Sequence, residues 1–130
     1  MIGLDTNVLI RYLVQDDRSQ SDRATRLIET AQAEKIPLWI SLITACELVW
    51  VLESAYGARR KEVMDTLEEL AVAGFVFADA DLVREAIRRV RGGKADFADY
   101  VAGLLAEAVG VTTVYTFDKK LRAASGFHLL

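Results

Sequence analysis

The chain of 130 residues has one cysteine, one proline and one histidine. Cys46 alone cannot form an internal disulfide, so the fold must be held by packing. A lone thiol without a charged-then-apolar leader makes the cytoplasm the expected compartment. With Pro37 the single proline, no Ser/Pro-rich stretch forms a linker, and no period of about 20 to 50 residues repeats. One domain covering 1–130 is therefore expected. No uncharged apolar run approaches the roughly 18 residues of a membrane span, the nearest being Ala71 to Ala78. Excess positive charge is also missing: 16 basic side chains face 19 acidic ones, a net charge of −3. Bulk charge does not bring this chain to nucleic acid, so a polyanionic partner would need a local basic patch or a bound cation. What the chain has in quantity is apolar side chains, 52% of the total, enough for an ordinary core.

Met1 to Leu4 is a short apolar start that runs into Asp5-Thr6-Asn7, residue types that favour turns and helix caps. An apolar pattern resumes over Val8 to Val14, which predicts strand, turn, helix. From Ser19 to Lys35, Ala24, Leu27, Ile28 and Ala31 recur at helical spacing among polar residues. Leu38-Trp39-Ile40 after Pro37 is too short and too β-prone for anything but a buried strand, and Ser41 can cap the next helix. In Leu42 to Leu52 only Thr44 and Glu47 are not apolar, so this helix is expected to be covered on most of its circumference. Gly57 ends it. Arg59 to Ala73 reads as an amphipathic helix closed by Gly74, Phe75 to Phe77 as a strand, and Ala80 to Val90 as a helix closed by Gly92-Gly93. Asp96 to Val109 is a helix, Thr112 to Thr116 a strand, Asp118 to Ala124 a short helix and Phe127 to Leu130 a last strand. Strands alternating with helices imply an α/β fold with a parallel sheet of about five strands and helices on both faces.

In an open parallel sheet, the functional crevice lies beyond the carboxyl ends of the strands. The residues there are acids. Asp5 follows the first strand and Asp118 the fourth, Glu47 sits in the helix after the second, and Asp96 and Asp99 open a later helix at i, i+3 spacing. Each has a plain structural alternative. Asp5, Asp96 and Asp118 stand where helix caps are favoured, and Asp99 suits the positive end of a helix. Glu47 is harder to explain that way, because an ionised carboxylate in an apolar helix needs a partner. Were these acids to converge, each pair about 4 Å apart would repel by roughly 4 kcal/mol at an effective dielectric near 20, which calls for a cation among them. His128 falls in the closing strand, where a core or edge role is the expectation. Hard oxygen donors without His or Cys select Mg2+ or Mn2+ over Zn2+.

Gly3-Leu4-Asp5-Thr6-Asn7-Val8-Leu9, Glu47 in its apolar helix, Asp96-Phe97-Ala98-Asp99 and Thr116-Phe117-Asp118 together resemble the PIN-domain ribonucleases, with a likeness to the VapC-type toxins of toxin–antitoxin pairs. The resemblance runs over essentially the whole chain and implies a PIN-like α/β/α sandwich. It places the family's metal-binding acids on Asp5, Glu47, Asp99 and Asp118, and its small polar positions on Thr6, Asn7 and Thr116. Asp99 lies 19 positions before Asp118, close to the family interval, whereas Asp96 lies 22 before it and is taken as an auxiliary acid. The activity implied is Mg2+- or Mn2+-dependent hydrolysis of RNA phosphodiesters. Asp5, Asp99 and Asp118 would hold the metal, and Glu47 would position it or orient the attacking water. Thr6 and Thr116 would fix carboxylate rotamers, or be simple turn and strand residues. Asn7 would orient substrate or bond the turn.

For RNA contact, Arg84, Arg88, Arg89, Arg91 and Lys94 against Glu85 give a local net charge of +4. Lys119, Lys120 and Arg122 form a second candidate patch. Both have the alternative of solvated surface; Arg88, Arg89 and Lys119 are the residues singled out. The resemblance also implies a homodimer and a cognate antitoxin; Trp39, Trp50, Leu52 and Tyr56 offer apolar surface that could serve either a partner or the core. Other readings stay in view: an RNA-processing nuclease outside a toxin–antitoxin pair, or a PIN-like module that binds RNA or protein without cutting. A dehalogenase-type phosphotransferase would want a second Asp where Asn7 stands, and a response-regulator receiver fails on spacing.

Overall fold

Helices in this chain start where a side chain can take the first unpaired backbone N–H groups. The computed structural model describes residues 1–130. Asp5 accepts from the Thr6 N–H at 2.8 Å and opens α1 (Thr6–Val14), Asp17 caps α2 (Arg18–Ala33) through the Gln20 N–H, and Ser41 caps α3 (Leu42–Ser54) through the Thr44 N–H. After α4 (Arg60–Val72), Gly74 takes a φ of 92°, a left-handed turn that an L side chain resists, and the chain re-enters as a strand.

Residues Met1–Ala80 form one compact unit and Asp81–Leu130 a second. In the first, β1 (Ile2–Gly3), β2 (Leu38–Ile40) and β3 (Phe75–Phe77) pair in parallel in the order β1-β2-β3, with Ile2 opposite Leu38 and Leu38 opposite Phe75. Leu38, Ile40, Phe75 and Phe77 are buried on one face. Packing of α1 on α2 and α3, and of α4 on α3 and β3, completes this unit. Leu9, Ile28, Leu48, Met64 and Leu67 within it are fully shielded, each worth about 1.5–3 kcal/mol of burial.

The second unit runs through α5 (Ala80–Gly92), α6 (Phe97–Ala108), β4 (Val114–Thr116), a 3-10 turn (Lys119–Leu121) and β5 (Phe127–Leu129). β4 and β5 pair in parallel, Val114 opposite Phe127. Phe97, Val90, Ala86, Val101, Tyr100 and Leu121 are among its buried side chains. At Gly103 an added Cβ would lie 2.7 Å from the Phe127 ring, so α6 and β5 approach closely there.

The α/β class, the parallel strand direction and the count of five strands match expectation. Hydrogen bonding divides the strands into ladders of three and two, a difference from the single sheet expected. Strands of two or three residues make few ladder bonds, and sequence pattern does not encode which strand ends are continuous. Asp118 to Ala124 forms a 3-10 turn rather than a full short helix. The larger correction is α3. Thr44, Ala45, Leu48, Val49 and Leu52 form its buried face, while Ile43 and Trp50 are 73% and 70% exposed and Glu47 lies exposed between them. An apolar run without periodicity reports hydrophobicity but not which side is covered. Similarly, Trp39 points out of the sheet, about a third exposed, and Leu52 is core. His128 is an exposed residue of β5 whose ring meets Tyr115 edge-on at 5.6 Å.

Candidate functional site

In the first unit the candidate residues lie at the end of β1, the start of α1 and the middle of α3. Asp5 is exposed, with one carboxylate oxygen engaged by the Thr6 N–H. Thr6 is buried and its hydroxyl donates to Glu47 Oε2 at 3.3 Å, so the first turn of α1 is tied to α3 through a carboxylate. That contact spans 41 positions of sequence. The expected desolvation of Glu47 does not hold, because Glu47 is on the exposed stripe of α3. Asn7 is exposed and lines a cavity of about 370 Å3 together with Arg11 and Arg23. Cys46, next to Glu47, is half-buried, and burial pushes its thiol pKa up, away from a metal-binding thiolate.

In the second unit Asp96 caps α6, and Asp99 Oδ2 accepts from the Asp96 N–H at 3.1 Å. Asp99 is half-buried. Burial raises its pKa above the usual aspartate value, the Asp96 N–H opposes that, the negative charges of Asp96 and Asp118 raise it further, and Lys120 lowers it. Asp96, Asp99 and Asp118 are thus within electrostatic reach of one another. Asp118 Oδ1 accepts from the Lys120 N–H at 2.9 Å, and the Thr116 hydroxyl accepts from the Asp118 N–H at 3.0 Å. Thr116 therefore holds the main chain at Asp118.

Asp5, Glu47, Asp99 and Asp118 share a pattern. Each has one carboxylate oxygen engaged by a neighbouring N–H or O–H and the other without a hydrogen bond. A carboxylate offers about four acceptor positions, so an anchored one retains capacity for a cation. In neither unit do three Asp, Glu, His or Cys side chains close on one point as a complete metal site. The chemistry of the donors still fits a hard divalent ion: all are carboxylates, the thiol is disfavoured and the imidazole sits on β5 beside Tyr115.

The basic segments come together in a way their spacing does not reveal. A cavity of about 710 Å3 in the second unit is lined by Arg88, Arg89, Lys94, Lys119, Lys120 and Arg122, with Gly92, Gly93 and Tyr100 also in its wall. Arg88 and Arg89 both pair with Glu85, whose carboxyl they hold down at about 2, Arg88 foremost. Arg89 also reaches Glu107 at 3.6 Å. Arg84 pairs with Asp81 and is not part of the wall. Sequence reasoning named both segments but missed their union and the participation of Tyr100.

Parallel strands joined by helices, with acids at the ends of β1 and β4, define the α/β class of this chain. Residues 2–126 match the PIN domain, and the chain belongs to the PIN domain family. PIN domains are typically metal-dependent nucleases. No curated protein matches this chain. No helix is long and apolar enough to cross a membrane.

Proposed function

We infer that this chain is an Mg2+- or Mn2+-dependent endoribonuclease working as one domain over 1–130, and that it is the toxin of a type II toxin–antitoxin pair. The reading is carried by the half-anchored state of the four acids: each is fixed by one oxygen and open at the other. Asp5, Asp99 and Asp118 would hold the ion, with Glu47 positioning it or orienting water and Asp96 as an auxiliary acid. A divalent ion on such ligands lowers the pKa of a coordinated water and stabilises charge on phosphoryl oxygens. The chain's own part is positional. Thr6 fixes Glu47, Thr116 fixes the backbone of Asp118, and the Asp96 N–H fixes Asp99. The exposed Asn7 is free to meet substrate. The cognate antitoxin and a second copy of the chain are the proposed partners, supported by exposed Ile43 and Trp50 on α3, and the cytoplasm is the proposed compartment.

Asp→Asn substitution separates capping from ligation, because Asn caps a helix as well as Asp but lacks the charge. Asp5→Asn and Asp118→Asn should melt within about 0.5 kcal/mol of wild type. Both should lose cleavage of a structured RNA that wild type performs with Mg2+ or Mn2+ and not with EDTA. Undiminished cleavage in both variants rejects the reading. Toxicity on expression, relieved by a small protein encoded beside this gene, tests the toxin assignment, and light scattering tests the dimer.

A further inference from the structure

We propose that the 710 Å3 basic cavity of the second unit is a phosphate-binding site that holds the backbone of an RNA strand next to the scissile position, a deepening that rests on the nuclease reading. Six cationic side chains and no carboxylate line it, in a chain whose net charge is −3. That is a local inversion of sign. Arg88 and Arg89 are held by Glu85, while Lys94, Lys119, Lys120 and Arg122 form no ion pair and are open to a ligand. Its volume lies within the range of built ligand pockets, roughly 300–1,000 Å3, and so admits more than one phosphate.

Two features favour a polynucleotide. Lys119 directly follows Asp118, and Lys120 acts electrostatically on Asp99, so the cations begin where the acids end. In addition Phe117, just before Asp118, is 80% exposed on a strand end. Single-strand sites commonly combine such an aromatic with a basic track. The wall is also stiff on one side: Gly93 has no room for a Cβ against Tyr100, whose hydroxyl accepts from the buried Ala95 N–H.

The test is binding in EDTA, where no cutting occurs, of the full chain to a labelled single-stranded RNA of about 12 nucleotides at several salt concentrations. Each neutralised phosphate contributes about 0.7 to the slope of log affinity against log salt on single strands. Lys94→Gln/Arg122→Gln should flatten that slope by about 1.4, so wild type loses about sevenfold more affinity than the variant between about 50 and 200 mM salt. Arg26→Gln, an exposed cation of α2 outside the cavity, should leave the slope unchanged. An equal slope in wild type and Lys94→Gln/Arg122→Gln overturns the proposal. So does displacement of the RNA by polyglutamate at matched charge, which would make the site one for an acidic protein, or by inorganic triphosphate as tightly as by RNA, which would make it one for a free polyphosphate. Wild type that binds RNA through these cations yet does not cut it with Mn2+ sinks the nuclease reading and leaves the cavity assignment standing.

Discussion

Adjacent glycines at the end of α5 should respond to the same substitution with opposite sign. Gly92 and Gly93 both have ordinary negative φ, so alanine is compatible with either backbone, and reducing the freedom of the unfolded chain alone would stabilise by about 0.4–1 kcal/mol. At Gly92 an added Cβ meets nothing within 4 Å. At Gly93 it falls on the Tyr100 hydroxyl, 3.1 Å from Tyr100 Cζ and 3.0 Å from the Arg89 carbonyl oxygen. The carbonyl is helix backbone and cannot yield, and Tyr100 is only 5% exposed, so the ring has nowhere easy to go. Overpacking costs about 1–3 kcal/mol, and moving the hydroxyl from the Ala95 N–H, a long bond at 3.4 Å, adds about 0.5 kcal/mol or more. The net expectation is a loss of about 1–3 kcal/mol for Gly93→Ala against a gain of up to about 1 kcal/mol for Gly92→Ala. Thermal melts of the full chain should separate the two variants by roughly 10 °C, at about 3–5 °C per kcal/mol for this size. Tyr100→Phe should recover part of the Gly93→Ala loss, with a coupling above about 0.5 kcal/mol in the double-mutant cycle. Equal melting of Gly92→Ala and Gly93→Ala, or strict additivity with Tyr100→Phe, would refute the steric reasoning.

Glu85, held down at about 2 by Arg88 and Arg89, gives a signed pH dependence. A depressed carboxyl contributes stability fully above its unfolded value near 4.5 and loses it as pH falls to about 2, so the excess stability of wild type over Glu85→Gln should shrink to nothing across that window. A difference in melting temperature that stays constant from neutral pH to about pH 2 contradicts the pairing. Thr6→Val keeps the side-chain volume and removes the hydroxyl that reaches Glu47, at a cost of about 1 kcal/mol. Metal-dependent RNA cleavage should fall in that variant and return in Thr6→Ser; cleavage by Thr6→Val at the wild-type rate would show that the Glu47 contact is structural only.

The order of elements was readable because most boundaries carry their own local chemistry: Asp5 and Ser41 at helix starts, Gly74 at a left-handed turn, Pro37 before a strand. Non-local facts were not readable. The chain does not announce that Thr6 meets Glu47, 41 positions away, nor that Lys94 and Arg122 share a cavity. Periodicity failed at α3 for a related reason. Its residues are apolar nearly all round, so only the packed structure decides that Leu48 is covered and Trp50 is not. Glu47 was therefore singled out on an argument from burial that its position does not support, while its real distinction is the hydroxyl donated by Thr6. The acids of the second unit were legible by spacing, but the raised pKa of Asp99 arises from burial and from Asp96 and Asp118 together, a property of the fold.

Capping and metal binding are often treated as rival explanations for an aspartate at a strand-to-helix turn. In the proposed site they are complementary at Asp5 and Asp118. An N-cap bond uses one oxygen and locks the carboxylate plane relative to the helix, so the second oxygen is aimed before any cation arrives. Without that bond, holding the same rotamer would cost side-chain entropy on binding. Asp99 obtains the same constraint from the Asp96 N–H, and Glu47, which is in mid-helix and has no unpaired backbone N–H beside it, obtains it from a threonine hydroxyl instead. The difference comes from position: only at helix starts does the backbone itself offer a donor. A carboxylate in the middle of α3 can be oriented by a side chain alone, which is why Thr6 is the residue whose hydroxyl the arrangement can least replace.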